Sequence, residues 1–290
     1  MSRTDETALI QKLQRIKKTP VDKLVLVSDN DGTLLDSGGI VSQENLKAIE
    51  RFREKGGRFA VATGRSTVSF AKYVDIIKSD LPVILCNGSV IYDYNKNEFV
   101  YASALPVSVY DDIREITQKF PEIGILFVSK KKYYIPRMNQ VGLDYLKIEN
   151  IDRTECSIDD VPRNCMKALF CVPDNLPYRL MDKFSQYMIK KFGNTVAFTI
   201  SSPHFFEMIP AGINKGAALK KLLNILDTDI SNSIAAGDYD NDIELIQAAG
   251  LGIAVSNATY NLKLAADMVL PYTNNQNAIA KIIDMILGEK

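Results

Sequence analysis

A single histidine, His204, and four cysteines with no C-x-x-C pair among them (Cys86, Cys156, Cys165, Cys171) leave a Cys/His zinc site without ligands. The irregular cysteine spacing fits free thiols in a reducing, cytoplasmic setting. Cys86 and Cys171 stand in apolar stretches and read as core filler. Neither sign of charge is in excess, with 35 Lys plus Arg against 35 Asp plus Glu. The basic surplus that tracks nucleic acid or anionic lipid is therefore missing, and neither partner is expected. No apolar run reaches the roughly 18 residues that a membrane-spanning helix needs. The opening Met1-Ser2-Arg3-Thr4-Asp5-Glu6 is charged and leads into no apolar core, unlike a secretory signal; Ser2 and the closing Gly288-Glu289-Lys290 fit no simple lipidation pattern. With 16 Gly and 11 Pro in 290 residues, the chain is neither collagen-like nor low in complexity. Its 46% hydrophobic content can fill one large core or two modest ones.

The apolar pattern predicts a helix before Pro20, then a strand over 23–28 that is apolar on both faces, as in a buried parallel sheet. A helix from Ser42, stopped by Gly56-Gly57, precedes a strand over 58–62. A helix over 66–78 and a strand over 82–86 follow, and this rhythm predicts right-handed βαβ units. Near Gly88 the rhythm changes. Two strands flank Tyr94-Asn95-Lys96-Asn97 as a hairpin, and further strands are expected over 123–128, 133–135, 166–172, 195–200 and 205–209, with helices over 108–119 and 176–191. Alternation resumes from Asn214: a helix to Leu226, a strand over 233–236, a helix over 240–248, a strand over 252–255 and a helix over 275–287. The expected fold is α/β: a three-layer, Rossmann-like parallel-sheet domain split into 1–92 and 207–290, with an α+β insertion of about 110 residues over 93–206.

Chemistry gathers at the predicted strand ends, where parallel α/β sheets bind ligands. Asp29-Asn30-Asp31-Gly32-Thr33 follows the first strand, placing two carboxylates where one could serve as nucleophile or metal ligand and the other as acid/base. A calcium loop fails: with Gly32 sixth, Val27 falls first and Gly38 twelfth, where acids are required. Gly237-Asp238-Tyr239-Asp240-Asn241-Asp242 fails too, with Ile243 sixth and Ala249 twelfth. Two acidic runs at two strand ends are what an oxygen-seeking Mg²⁺ needs. Thr63-Gly64-Arg65 before a helix offers a hydroxyl and free N–H groups to an anion. Gly212-Ile213-Asn214-Lys215-Gly216 opens another helix beside a lysine.

These residues, with Asn87-Gly88-Ser89-Val90-Ile91-Tyr92 and Gly252-Ile253-Ala254-Val255-Ser256-Asn257-Ala258, resemble the haloacid dehalogenase-like (HAD) phosphatases, specifically the Cof-type subfamily with a C2B cap. The resemblance covers 23–290 and is weakest over the insertion. It implies that Asp29 is the nucleophile, forming an aspartyl-phosphate, and that Asp31 is the acid/base. It assigns Mg²⁺ to Asp29, Asp31 (through its backbone carbonyl), Asp238 and Asp242. Phosphate contacts fall to Asn30, Thr63, Gly64, Lys215 and Asn241, with Thr63 and Lys215 holding the oxygens that gain charge. Asp242 also orients Lys215 or the metal waters. Ser28 departs from the usual apolar residue before the nucleophile.

The function expected from this resemblance is a Mg²⁺-dependent phosphatase for a small phosphomonoester, a sugar phosphate foremost, working as monomer or homodimer. A phosphomutase or a non-catalytic phospho-ligand sensor are the alternatives. A receiver domain is too short to hold the insertion. Lys130-Lys131-Lys132 reads as a solvated turn or an attractor of anions. His204 reads as a hinge, packing or substrate-facing residue, and Asp240 as a solvated helix start.

Overall fold

The computed structural model describes residues 3–130, 132–173 and 177–289. Leu176, the expected start of one helix, and Lys131 of the lysine run lie outside them. Along the chain the helices and strands are α1 (Arg3–Lys18), β1 (Val25–Ser28), α2 (Gln43–Glu54), β2 (Arg58–Val61), α3 (Thr67–Ile77), β3 (Val83–Leu85), β4 (Val90–Asp93), β5 (Glu98–Ala102) and α4 (Ser108–Lys119). Next come β6 (Gly124–Val128), β7 (Tyr133–Arg137), α5 (Gln140–Glu149), β8 (Arg153–Glu155), β9 (Lys167–Cys171), α6 (Pro177–Phe192), β10 (Val196–Ser202) and β11 (Phe205–Pro210). The last are α7 (Lys215–Ile225), β12 (Ser233–Gly237), α8 (Ile243–Ala248), β13 (Leu251–Ala254), α9 (Tyr260–Ala265), β14 (Met268–Val269) and α10 (Ala278–Leu287).

Five strands form a parallel sheet in the order β14-β13-β12-β1-β2. All four residues of β1, the apolar Val25–Val27 and Ser28, are buried, as befits an interior parallel strand covered on both faces. From β1 the chain steps to β2 on one side, whereas β12 to β13 steps the other way. Right-handed crossovers therefore place α2 and α8 on opposite faces. Accordingly α2 packs with α10, and α8 with α7. The reversal of direction between β1 and β12 opens a crevice at their carboxyl ends, the place where such sheets bind ligands. The expected α/β parallel-sheet class is borne out.

One strand differs from expectation. β3 was predicted to extend the parallel sheet, but only a single bridge, Ala62 to Ile84, joins it there. Its ladder is antiparallel to β4, which pairs in turn with β5. The predicted turn at Tyr94–Asn97 closes that hairpin, with Asp93 Oδ1 accepting from the N–H groups of Asn95 (3.0 Å) and Lys96 (3.1 Å).

A second sheet of six strands, β10-β11-β9-β6-β7-β8, is built from the intervening chain. Alternation along its strands divides two packing surfaces. Ile125, Phe127, Ala168, Phe170, Phe206 and Met208 face α4 and α6 in one core. Leu126, Val128, Leu169 and Cys171 face the other way and join the core of the parallel sheet.

Candidate active site

β1 and β12 deliver the two acidic runs side by side, since Ser28 pairs with Ala236 and the Asp29 N–H donates to the Ala236 carbonyl at 2.8 Å. Ser28 suits this buried position because its hydroxyl bonds the Asp29 carbonyl at 2.6 Å. Beyond Asp29 the chain makes one wide turn, closed by Leu35 N–H to the Asn30 carbonyl at 2.8 Å. Gly32 takes φ +79° in that turn, and a Cβ there would lie 2.3 Å from Asp238 Oδ2, so only glycine lets the two acidic loops meet. Thr33 fastens the meeting by donating to Asp238 Oδ1 at 2.9 Å.

Carboxylate oxygens of Asp29, Asp238 and Asp242 lie within 4.8 Å of one another. One ammonium stands among them: Lys215 Nζ, 1% exposed at the start of α7, is 2.5 Å from Asp29 Oδ1 and 2.6 Å from Asp242 Oδ1. Burial by itself would lower the lysine's pKa, but Asp242 and Asp29 outweigh it and push it up, so the ammonium stays charged. The acids keep an uncompensated surplus. Burial, then Asp242, pushes Asp238 up to about 7. Burial and Asp242 also push Asp29 well above the usual carboxylate range, against the pull of Lys215. Three close oxygen donors with more negative charge than one lysine can balance are a donor set suited to a hard divalent cation.

Of the other expected residues, Thr63 lines the same cavity as Asp29, Asp31 and Asp238. Its Oγ1 accepts from the Arg65 N–H at 3.1 Å, which leaves the hydroxyl proton free to turn toward a ligand. Asn30 is buried with Oδ1 unpartnered. The Asp31 carboxylate is not brought into the three-acid cluster. Arg65 takes it in a fork, Nε to Oδ2 at 2.8 Å and Nη2 to Oδ1 at 2.7 Å. Asp242 accepts three times, from Lys215 through Oδ1 and, through Oδ2, from the N–H groups of Asp238 (3.1 Å) and Tyr239 (3.3 Å). Asn241 lines the cavity and donates to Asn87 Oδ1 at 3.0 Å, while the Gly64 carbonyl accepts from Lys167 Nζ at 2.8 Å. Asp240 turns away to bond Thr259 (2.5 Å) and Asn261 (2.9 Å) at the start of α9. His204 sits in the β10–β11 turn and is not among the cavity-lining residues. Lys130 and Lys132 lie over Phe99 and Tyr134.

The cavity, about 310 Å³, has its other wall on the six-stranded sheet and α5: Tyr145, Glu149, Lys167, Leu169, Ser201, Ser202, Phe205 and Glu207. The sequence reading assigned none of these. A signal was present for two: Lys167 and Glu207 are lone charges inside the apolar runs Met166–Val172 and Phe205–Ile209, where a buried charge needs a partner. Glu149 pairs with Arg65 and with Lys72 at 3.1 Å, a convergence of distant segments with no local trace.

Comparison with known proteins agrees with this architecture. The chain is 28% identical over 286 residues to the 5-amino-6-(5-phospho-D-ribitylamino)uracil phosphatase YwtE of Bacillus subtilis, covering 90% of this chain and 96% of that one. It is 25% identical over 273 residues to the pyridoxal phosphate phosphatase YbhA of Escherichia coli, covering 89% and 97%. A haloacid dehalogenase-like hydrolase from Bacteroides thetaiotaomicron superposes with a TM-score of 0.80 at 24% identity, over 91% of this chain and 99% of that one. A sugar phosphatase of HAD subclass IIB gives 0.79 at 19% identity, over 90% and 98%. At these identities the two structures speak for the fold. The profile of one family runs from β1 to α10, matching residues 26–283, and it bears out what the strand-end motifs implied: the chain belongs to the haloacid dehalogenase-like hydrolase family.

Proposed function

We propose that the chain is a Mg²⁺-dependent phosphatase that hydrolyses a small phosphomonoester, a sugar phosphate foremost, through an aspartyl-phosphate on Asp29. The observation that carries this reading is the trio Asp29, Asp238 and Asp242, with Lys215 paired to Asp29 and Asp242, beside a cavity of sugar-phosphate size that opens onto Asp29 and Asp238. The relatives named for a ribityl phosphate and for pyridoxal phosphate support the substrate class. The four free cysteines, three of them buried, suit the cytoplasmic setting proposed. Among the described residues no helix is long and apolar enough to cross a membrane.

Asp29 and Asp238, with the Asp31 backbone carbonyl, would hold the cation, and Asp242 would anchor its waters. Bound there, Mg²⁺ supplies positive charge against the phosphoryl oxygens. The Asp29 carboxylate forms a bond to phosphorus in line with the ester oxygen, whose own P–O bond breaks. Asp31, once it has left the Arg65 fork and taken up a proton, gives that proton to the leaving oxygen. A water then attacks the phosphorus, Asp31 takes that water's proton, and the Asp29–phosphate bond breaks to release inorganic phosphate. Thr63 and Lys215 bind the equatorial oxygens, and Asp242 keeps the lysine in place. The six-stranded sheet serves as the cap that covers the leaving group and excludes water.

Phosphate release from sugar phosphates, pyridoxal phosphate, flavin mononucleotide and an aryl phosphate, with Mg²⁺ and with chelator, tests this function. Release from at least one ester, lost with chelator, is expected. No release from folded, Mg²⁺-loaded protein counts against it, and transfer to a second hydroxyl of the substrate would make it a mutase.

A second expectation follows from the acid surplus. With no metal, folded Asp238 holds a proton up to about pH 7 that the unfolded chain has already lost, so its contribution to stability falls as pH rises through that window. Saturating Mg²⁺ is expected to raise the Tm by about 5 °C near neutral pH and by clearly less near pH 5, where the ion competes with protons. Equal shifts at both pH values, read by calorimetry, would remove Asp238 from the ligand set.

A further inference from the structure

Two charged side chains of the six-stranded sheet face the parallel sheet, Lys167 on β9 and Glu207 on the adjacent β11, at 2% and 3% exposure. Lys167 Nζ donates to Glu207 Oε2 at 2.8 Å and to the Gly64 carbonyl at 2.8 Å. Glu207 Oε2 also accepts from Asn87 Nδ2 at 2.9 Å, and its Oε1 from Ser201 Oγ at 2.6 Å. Asn87 Oδ1 in turn accepts from Asn241 Nδ2 at 3.0 Å. One unbroken run of hydrogen bonds thus crosses from the Gly64 carbonyl through Lys167, Glu207 and Asn87 to Asn241. Its ends are the turn that carries Thr63 and the loop that carries Asn241.

Two costs set this run apart from ordinary packing. An ion pair this deeply buried gives up its hydration, and apolar residues of similar volume would fill the site at least as well. Asn87 also stands in a strained turn. Cys86 (φ +51°), Asn87 (φ +53°) and Gly88 (φ +100°) are all left-handed, a conformation that strains the two residues with a Cβ. Such a turn persists where surrounding contacts over-determine it. Here those contacts are Glu207, Asn241 and the Thr63 carbonyl, which accepts from the Asn87 N–H at 3.1 Å. Gly88 is forced by its neighbour as well, since a Cβ would lie 2.3 Å from the Asn214 carbonyl, next to Lys215.

We propose that Lys167 and Glu207 are positioning residues that act through Gly64 and Asn87, so that the phosphate contacts of Thr63 and Asn241 are complete only while the six-stranded sheet is seated on the parallel one. Seating the sheet over a substrate then assembles the phosphate site in the same movement. This rests on the phosphatase reading above.

Lys167→Met alone strands a buried carboxylate, so the test uses Lys167→Met/Glu207→Gln, which removes both charges, and Asn87→Gly, which accepts the left-handed backbone and cuts the run in the middle. Each is compared with the wild-type protein on p-nitrophenyl phosphate, with inorganic phosphate as inhibitor. Both are expected to fold, to lose about tenfold or more in kcat, and to bind inorganic phosphate about tenfold more weakly, with the Mg²⁺ half-saturation changed less than about twofold. A purely structural role would lower the Tm without moving the phosphate inhibition constant. Wild-type kcat and phosphate inhibition in folded Asn87→Gly, or in the folded double variant, overturn the proposal and leave the phosphatase reading standing. A wild-type protein that neither releases nor binds phosphate overturns the reading and the proposal together.

Discussion

Asp29→Asn is expected to slow phosphate release by roughly 10⁴-fold or more while leaving the chain folded, because an amide cannot form the bond to phosphorus that a carboxylate forms. The stability side of the result is the more diagnostic one. Asp29 is buried beside Asp242 and Asp238, and Lys215 pairs with only Asp29 and Asp242 of the three. Removing one negative charge relieves the crowd, and the asparagine oxygen can still accept from Lys215. The metal-free variant is therefore expected to melt no lower than the wild-type protein, and its gain in Tm from Mg²⁺ to shrink. Single-turnover phosphate release and calorimetry read the two effects on the same sample. Residual turnover within about tenfold of wild type would mean that another group attacks phosphorus.

Lys215→Met should do the opposite to stability. The ammonium lies 2.5 Å and 2.6 Å from two carboxylates and is 1% exposed, so its loss leaves two like charges facing each other out of water. Stranding buried charge in this way costs about 3–5 kcal/mol, which urea unfolding would show as a lower midpoint. Turnover should fall by roughly 10²–10³-fold with the loss of a cationic contact to the phosphoryl oxygens. Added Mg²⁺ is expected to restore part of the stability, since it neutralises the same carboxylates, and little of the turnover. An unchanged urea midpoint would show that the three acids are not crowded.

These two residues were legible in the sequence because their signals are local. Asp29 ends a strand apolar on both faces, and Lys215 opens a helix whose N-cap, Asn214, accepts from the Ala217 N–H at 2.7 Å. The βαβ halves declared themselves by period in the same way. What escaped was short or made by distant partners. β8 and β14 span three and two residues and exist only through pairing with β7 and β13. α5 carries Gly142 in its first turn and α9 has six residues, so neither shows a full apolar period. β3 reads like any buried parallel strand; only the hairpin that follows pulls its ladder antiparallel. The cap wall was missed for a related reason. Lys167, Glu207 and Glu149 acquire meaning from Gly64, Asn87 and Arg65, each more than 80 residues away.

The placement of β1 bears on how the chain comes off the ribosome. It precedes every other described strand, yet it lies inside the parallel sheet between β12 and β2, with Val25–Ser28 paired to Ser233–Ala236 far along the chain. Until β12 emerges, one edge of β1 has no ladder, while the six-stranded sheet and its own core can already close. The nascent protein thus carries an open, sticky edge while everything between β1 and β12 is made, and the window for misassociation closes only when β12 pairs.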